Sequence, residues 1–194
     1  MVNVRSYTDK ELIGLVKALP TFKTIPIGYW VLGIRSKIDE FNTFDDKFYI
    51  FFGEKFVDVM SGTTNAGADG LLNFDRWGLN GSAVIKANEC YYDVWTRGKH
   101  KGKMNALVQT GGFKVIRDSN KNKKAGDSDK WSWEYVKGLN FHTNTYDMTS
   151  KIIKWTIGLW SLGCQVVNDT QKYIHFMNIS KPQNKFTYIL IQEK

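Results

Sequence analysis

A short β-hairpin signal in the first third of the chain constrains its fold most strongly. Residues 48–52 form an aromatic-rich apolar run, residues 55–59 form a second apolar-rich run, and only Gly53 and Glu54 separate them. Glycine at the first position of a two-residue loop suits the tight turn that joins antiparallel strands. The sequence therefore predicts a hairpin at this point and an antiparallel sheet around it.

Other short runs rich in β-branched and aromatic residues recur along the chain. They predict strands at residues 27–34, 83–86, 91–95, 106–109, 113–117, 139–142 and 186–192. Many short strands with few helices predict a mostly-β domain of the α+β type rather than a parallel α/β fold or a helix bundle.

Two helices are predicted, one near each end of the chain. Thr8 and Glu11 have the spacing of a capping box ahead of an apolar helical pattern that Pro20 ends. Asn168 or Asp169 is expected to cap the second helix, which would bury its apolar residues Tyr173, Phe176 and Met177.

The length of 194 residues suits a single domain spanning residues 1–194. We expect residues 1–26 to form a helical appendage packed on a main domain of about residues 27–194. Hydrophobic residues make up 42% of the chain, which excludes an intrinsically disordered protein. The pair Trp131 and Trp133 is predicted to belong to the core.

The formal charge of +8 suits a polyanionic partner such as nucleic acid, anionic lipid or cell wall, and equally suits ordinary solubility. No nucleic-acid-reading motif accompanies the basic residues, so nucleic acid is not favoured. No apolar run has the length of a membrane span, so membrane insertion is not expected. The start of the chain has no secretory signal pattern, which predicts synthesis in the cytoplasm.

Two cysteines, Cys90 and Cys164, are predicted to be reduced. His142 ends an apolar run, and Gly163 lets the backbone turn sharply just before Cys164. A nearby imidazole is the usual way to activate a cysteine thiol, and amides at such a turn can stabilise an oxyanion. Cys164 is therefore a candidate nucleophile and His142 a candidate base, oriented by an acceptor such as a backbone carbonyl, with Gly163 and Ser161 supporting the turn. The residues alone are equally compatible with a buried structural cysteine and an unrelated histidine at the end of a strand.

The Ser161-x-Gly163-Cys164 turn with an upstream histidine resembles the catalytic region of the L,D-transpeptidase (YkuD-like) family. The hairpin followed by Ser61 and Gly62 agrees with the layout of that family. Leu162 and Val166 differ from the residues usual there.

The resemblance implies a YkuD-like mixed β-sandwich or sheet, with a helix after the cysteine turn. It also implies a cysteine-dependent enzyme that attacks peptidoglycan stem peptides through a thioester, without a cofactor. We expect hydrolysis rather than cross-linking, in a phage-type endolysin or lytic effector delivered to the wall. A true L,D-transpeptidase, and a non-catalytic wall-binding or virion structural protein with this fold, remain alternatives.

Further residues are candidates for substrate binding: Trp160, Thr143, His100 and Arg97. His100 is also an alternative base, and the basic segment around it could instead be a solvated loop. No metal site is predicted. Residues 118–129 resemble a calcium loop but contain three lysines, and His142, Cys164 and His175 match no zinc-ligand spacing.

Overall fold

The computed structural model describes residues 4–122, 130–135 and 137–194. Within this part of the chain the helices are α1 (Asp9–Lys17), α2 (Ala68–Leu72) and α3 (Thr170–Ile179), with a 3-10 turn at Phe74–Trp77. The strands are β1 (Tyr29–Arg35), β2 (Asp46–Phe52), β3 (Lys55–Thr63), β4 (Ser82–Ile85), β5 (Glu89–His100), β6 (Met104–Gln109), β7 (Gly112–Asp118), β8 (Ser132–Tyr135), β9 (Phe141–Thr143), β10 (Gln165–Val167) and β11 (Lys185–Gln192). The predicted mostly-β class is confirmed.

Eight strands close into a barrel in the order β1-β11-β5-β6-β9-β10-β3-β2, and β4-β7-β8 form a separate three-stranded sheet. The predicted hairpin is confirmed: Phe52 pairs with Lys55 across the turn at Gly53 and Glu54. Two strand pairs are parallel, β1 with β11 and β9 with β10. The β9–β10 pair matters most here, because the predicted base and nucleophile belong to it.

Aromatic side chains fill the barrel. The Trp95 ring stacks on Tyr188 at 4.6 Å and on Phe141 at 5.5 Å between centroids. Side chains alternate along a strand. Since Phe141 of β9 points into this core, the adjacent His142 points to the opposite side of the sheet. His142 therefore lies on the outer side of the barrel wall.

Both predicted helix caps are present. Thr8 and Glu11 form a capping box at the start of α1, whose Leu12 and Val16 pack in a second apolar cluster on the outside of the barrel. Asp169 accepts hydrogen bonds from the backbone N–H groups of Gln171 and Lys172 at the start of α3. The buried residues of α3 include the predicted Tyr173, Phe176 and Met177.

Several features differ from the sequence-based expectations, among them helix α2 and the 3-10 turn that follows it, which were not predicted. The short strands β8 and β10 were not predicted, and the prediction that Trp131 and Trp133 lie in the core is wrong. Trp133 is 55% exposed because β8 is an edge strand of the three-stranded sheet, and Trp131, just ahead of that strand, is 38% exposed. Among the described residues, no helix has both the length and the apolar character needed to cross a bilayer.

Candidate cysteine–histidine site

Parallel pairing of β9 and β10 brings the two predicted catalytic residues together. Val166 pairs with His142 in the register of these strands, and Gln165 donates its N–H to the carbonyl of Asn140 at 2.9 Å. Cys164, directly before β10, therefore lies beside the start of the histidine strand. The connection between residues 144 and 164 is long, but it ends beside the histidine strand. The side chains of His142 and Cys164 are therefore close in space although they are distant in sequence.

The turn before Cys164 is closed by Ser161. Its hydroxyl donates to the Cys164 carbonyl at 2.9 Å and accepts from the Gly163 N–H at 3.0 Å. Gly163 has a φ of 125°, and a Cβ there would lie 2.6 Å from the Ala83 carbonyl oxygen. Strand β4 packs against the turn, and the Ala83 N–H donates to the Leu162 carbonyl at 3.1 Å. These contacts support the predicted roles of Ser161 and Gly163 in holding the turn.

Replacing Gly163 by Ala is expected to destabilise the protein. Backbone strain at such a φ costs about 1–3 kcal/mol, and the collision with Ala83 adds to it. Gly78→Ala is the matched control, because Gly78 also has a positive φ (66°) but open space around its Cβ position. Urea unfolding would measure both variants, and an equal loss of stability would show that the contact with Ala83 does not matter.

Hydrogen bonds fix the tautomer of His142. Its Nδ1 lies 2.7 Å from the Thr143 carbonyl oxygen, which only accepts, so Nδ1 carries the proton and Nε2 has the lone pair. Nε2 is fully buried and has no hydrogen-bond partner within the described part of the chain. The Cys164 thiol donates to the Gly138 carbonyl at 3.2 Å. The Thr143 backbone carbonyl therefore orients the His142 ring, and the unprotonated Nε2 is left without a hydrogen-bond partner among the described residues.

Burial keeps both groups neutral at rest. It raises the pKa of the Cys164 thiol to about 11, against smaller opposing effects of the Asn140 backbone N–H and Lys101. Burial, and then the neighbouring His100, lowers the pKa of His142 to about 3. A neutral thiol beside a neutral imidazole is therefore the resting state of the pair.

His100 completes the cluster. His100 is the last residue of β5, at the tip of the β5–β6 hairpin. Because β6 lies between β5 and β9 in the barrel, this tip is close to the strand that contains His142. The His100 ring stacks on that of His142 with centroids 4.1 Å apart. One nitrogen of each histidine and the Cys164 sulfur all lie within 4.8 Å of one another. Among the described residues, these three atoms lie close enough together for a metal ion to contact all of them.

A cleft of about 310 Å³ opens beside this cluster. Both Cys164 and His100 line it, and Lys101, Arg117 and Lys137 add positive charge. Arg117 is already paired with Glu134, whereas Lys101 and Lys137 form no ion pair within the described residues. These two lysines are therefore available to an anionic ligand.

A second cleft of about 270 Å³ adjoins the first and shares four residues with it, including Trp160 and Lys101. Three aromatic rings line it, two of them exposed and that of Trp160 partly buried. Lysine ammonium groups lie 4.7–5.2 Å from their centroids: Lys101 over Trp77, Lys103 over Tyr146 and Lys154 over Trp160. The predicted substrate residue Trp160 thus contributes to both clefts.

Two predicted substrate residues do not line these clefts. The Arg97 guanidinium donates to the carbonyls of Met177 and Gln183 and to the Ser180 hydroxyl, so it anchors the end of α3. The Thr143 side chain is buried and bonds to that of Thr170. It is the backbone carbonyl of Thr143, rather than its hydroxyl, that contacts the site, by accepting the hydrogen bond from Nδ1 of His142. The calcium-like segment includes residues 123–129, which lie outside the described residues.

Sequence reasoning missed three amides that build the site. The side chain of Asn140 contacts His100 at 3.0 Å, and Gln109 accepts from the backbone N–H groups of Lys137 and Leu139 beside the cleft. Gln165 donates to the Gly163 carbonyl and accepts from Tyr188 inside the barrel. Amides at strand ends are common, and only the fold gives these three a shared role.

Comparison of the chain with protein-family models, curated protein sequences and solved structures finds no match. The fold and site define a β-barrel protein with a cysteine–histidine cluster at the floor of a cationic cleft. The resemblance to the L,D-transpeptidase family therefore rests on the residues of the cysteine turn and the histidine strand.

Proposed function

We propose that this protein is a cysteine-dependent enzyme with a YkuD-like catalytic domain that acts on peptidoglycan stem peptides at the bacterial cell wall. The observation that carries the proposal is the buried lone pair on Nε2 of His142, held next to a thiol that lines a cleft. An unpartnered buried polar atom costs about 1–3 kcal/mol. Such a cost is expected where the atom has a chemical task.

In the proposed reaction, the Cys164 sulfur attacks a carbonyl carbon of the stem peptide while its proton moves to Nε2 of His142. The carbonyl electron pair moves to oxygen, giving a tetrahedral intermediate. When this collapses, the bond to the leaving amine breaks and His142 returns the proton to the amine nitrogen. Water then hydrolyses the thioester, with His142 again accepting a proton, and restores the thiol.

The chemistry of the clefts favours an anionic peptide attached to a glycan. Stem peptides carry free carboxylates, which Lys101 and Lys137 can bind in the cleft that Cys164 lines. The adjoining aromatic cleft provides flat apolar surfaces against which sugar rings can pack. Aromatic side chains clustered in a surface cleft are typical of a binding site.

The test is digestion of purified sacculi, followed by mass spectrometry of the released fragments. We expect shortened stem peptides from the wild-type protein. New cross-linked fragments would instead identify a true L,D-transpeptidase, and unchanged sacculi would refute both enzymes. Treatment with EDTA is expected to leave the activity intact, whereas its loss would indicate chemistry at a metal held by His100, His142 and Cys164.

One observation favours a second candidate, a non-catalytic wall-binding or virion structural protein. Cys164 is only 6% exposed, and burial alone would leave its thiol inert. This candidate predicts that the protein sediments with sacculi without releasing fragments. It also predicts that iodoacetamide fails to label Cys164 at neutral pH, whereas the enzyme should be labelled there.

A further inference from the structure

The hydrogen bonds of Asn140 fix the tautomer of His100. The backbone N–H of Gln109 donates to Oδ1 of Asn140 at 2.9 Å, so the amide nitrogen of Asn140 faces the histidine. That nitrogen lies 3.0 Å from Nδ1 of His100 and donates to it. Because Nδ1 of His100 accepts, the neutral ring carries its proton on Nε2.

His100 and His142 are therefore opposite tautomers. Nε2 of His142 offers a lone pair, whereas Nε2 of His100 offers an N–H. The two rings are stacked with an angle of 29° between their planes, and both belong to the cluster around the Cys164 sulfur. Of the two rings, only His100 also lines the cleft where a substrate carbonyl would lie.

We infer that His100 is a second catalytic residue, whose Nε2–H donates a hydrogen bond to the carbonyl oxygen of the acyl substrate as Cys164 attacks. This inference rests on the proposed role of Cys164 as nucleophile. The proton of His100 stays on Nε2 throughout, and only the thiol proton moves, to His142. A fixed donor aimed at the developing negative charge is among the largest contributions in acyl transfer.

Two other roles for His100 conflict with its hydrogen bonds. A base needs a lone pair facing the thiol, but Nδ1 of His100 is occupied by Asn140 and Nε2 holds a proton. A metal ligand at Nε2 would need the proton on Nδ1, opposite the Asn140 amide that already donates there. Asn140 cannot simply turn over, because the Gln109 N–H holds its oxygen.

The test compares two reactions of Cys164 with small reagents in the full-length protein. p-Nitrophenyl acetate acylates the thiol through an oxyanion, whereas iodoacetamide alkylates it by displacing iodide at a saturated carbon. His100→Leu should slow acylation on the order of 10²-fold. It should change alkylation by no more than about twofold. His100→Gln, whose side-chain amide can again donate near the Nε2 position, should recover part of the lost acylation rate.

Equal losses in acylation and alkylation would assign His100 to the base or to a structural role and overturn the inference. So would unchanged acylation in His100→Leu, or a zinc ion bound by the wild type and lost in His100→Gln. If wild-type Cys164 is not acylated at all, the nucleophile itself is refuted. If it is acylated but sacculi remain intact, the peptidoglycan substrate is refuted while His100 keeps its role.

Discussion

Replacement of Cys164 by Ala is expected to reduce digestion of sacculi by a factor on the order of 10³ or more. In the proposed reaction the sulfur forms the bond to the acyl group. Cys164 is the one thiol that lines the described part of the cleft, and the Ser161 hydroxyl there donates to the Cys164 carbonyl. Removing a covalent nucleophile leaves only binding and oxyanion stabilisation. The measurement is fragment release from sacculi at a fixed protein concentration.

The second cysteine provides the control. Cys90 is a free, half-buried thiol that belongs to the apolar cluster between α1 and the outside of the barrel. Cys90→Ala therefore makes the same chemical change away from the cleft and should retain wild-type digestion. Unfolding curves of both variants would show that they fold. Full digestion by Cys164→Ala would rule out the thioester route.

The local parts of the fold were predictable from short stretches of sequence. The hairpin around Gly53, the capping box at Thr8 and the cap at Asp169 each depend on residues a few positions apart. The three-residue strand β10 could not be recognised in this way. Its partner in β9 lies far away in the chain, and only closure of the barrel pairs the two strands.

The same distinction between local patterns and long-range contacts applies to the candidate site. The turn residues Ser161, Gly163 and Cys164 act over a few positions, so their pattern was visible in the sequence. The contact between His100 and His142 depends on the order β5-β6-β9 across the barrel, which a sequence pattern does not encode. Arg97 is an example of the opposite error. It is close in sequence to His100 and was predicted to bind substrate, but its guanidinium instead forms hydrogen bonds with the end of α3.

Replacement of His142 by Gln is expected to slow the reactions of Cys164 by about 10²–10⁴-fold at neutral pH, as for loss of a general base. The pH dependence should also change. In the wild type, the imidazole stays neutral above its pKa of about 3 and the thiol stays protonated below its pKa of about 11. The reactive thiol–imidazole pair is therefore present throughout this interval, and the rate of alkylation by iodoacetamide should vary little between pH 5 and pH 9.

In His142→Gln, attack requires a thiolate formed without a base. The thiol pKa should stay high, because burial rather than His142 raises it. The logarithm of the alkylation rate should then rise with pH with a slope near 1 over the same range. His175→Gln is the matched control, since His175 is exposed on α3 and should keep the flat wild-type profile. Equal slopes for the wild type and His142→Gln would show that His142 does not accept the thiol proton.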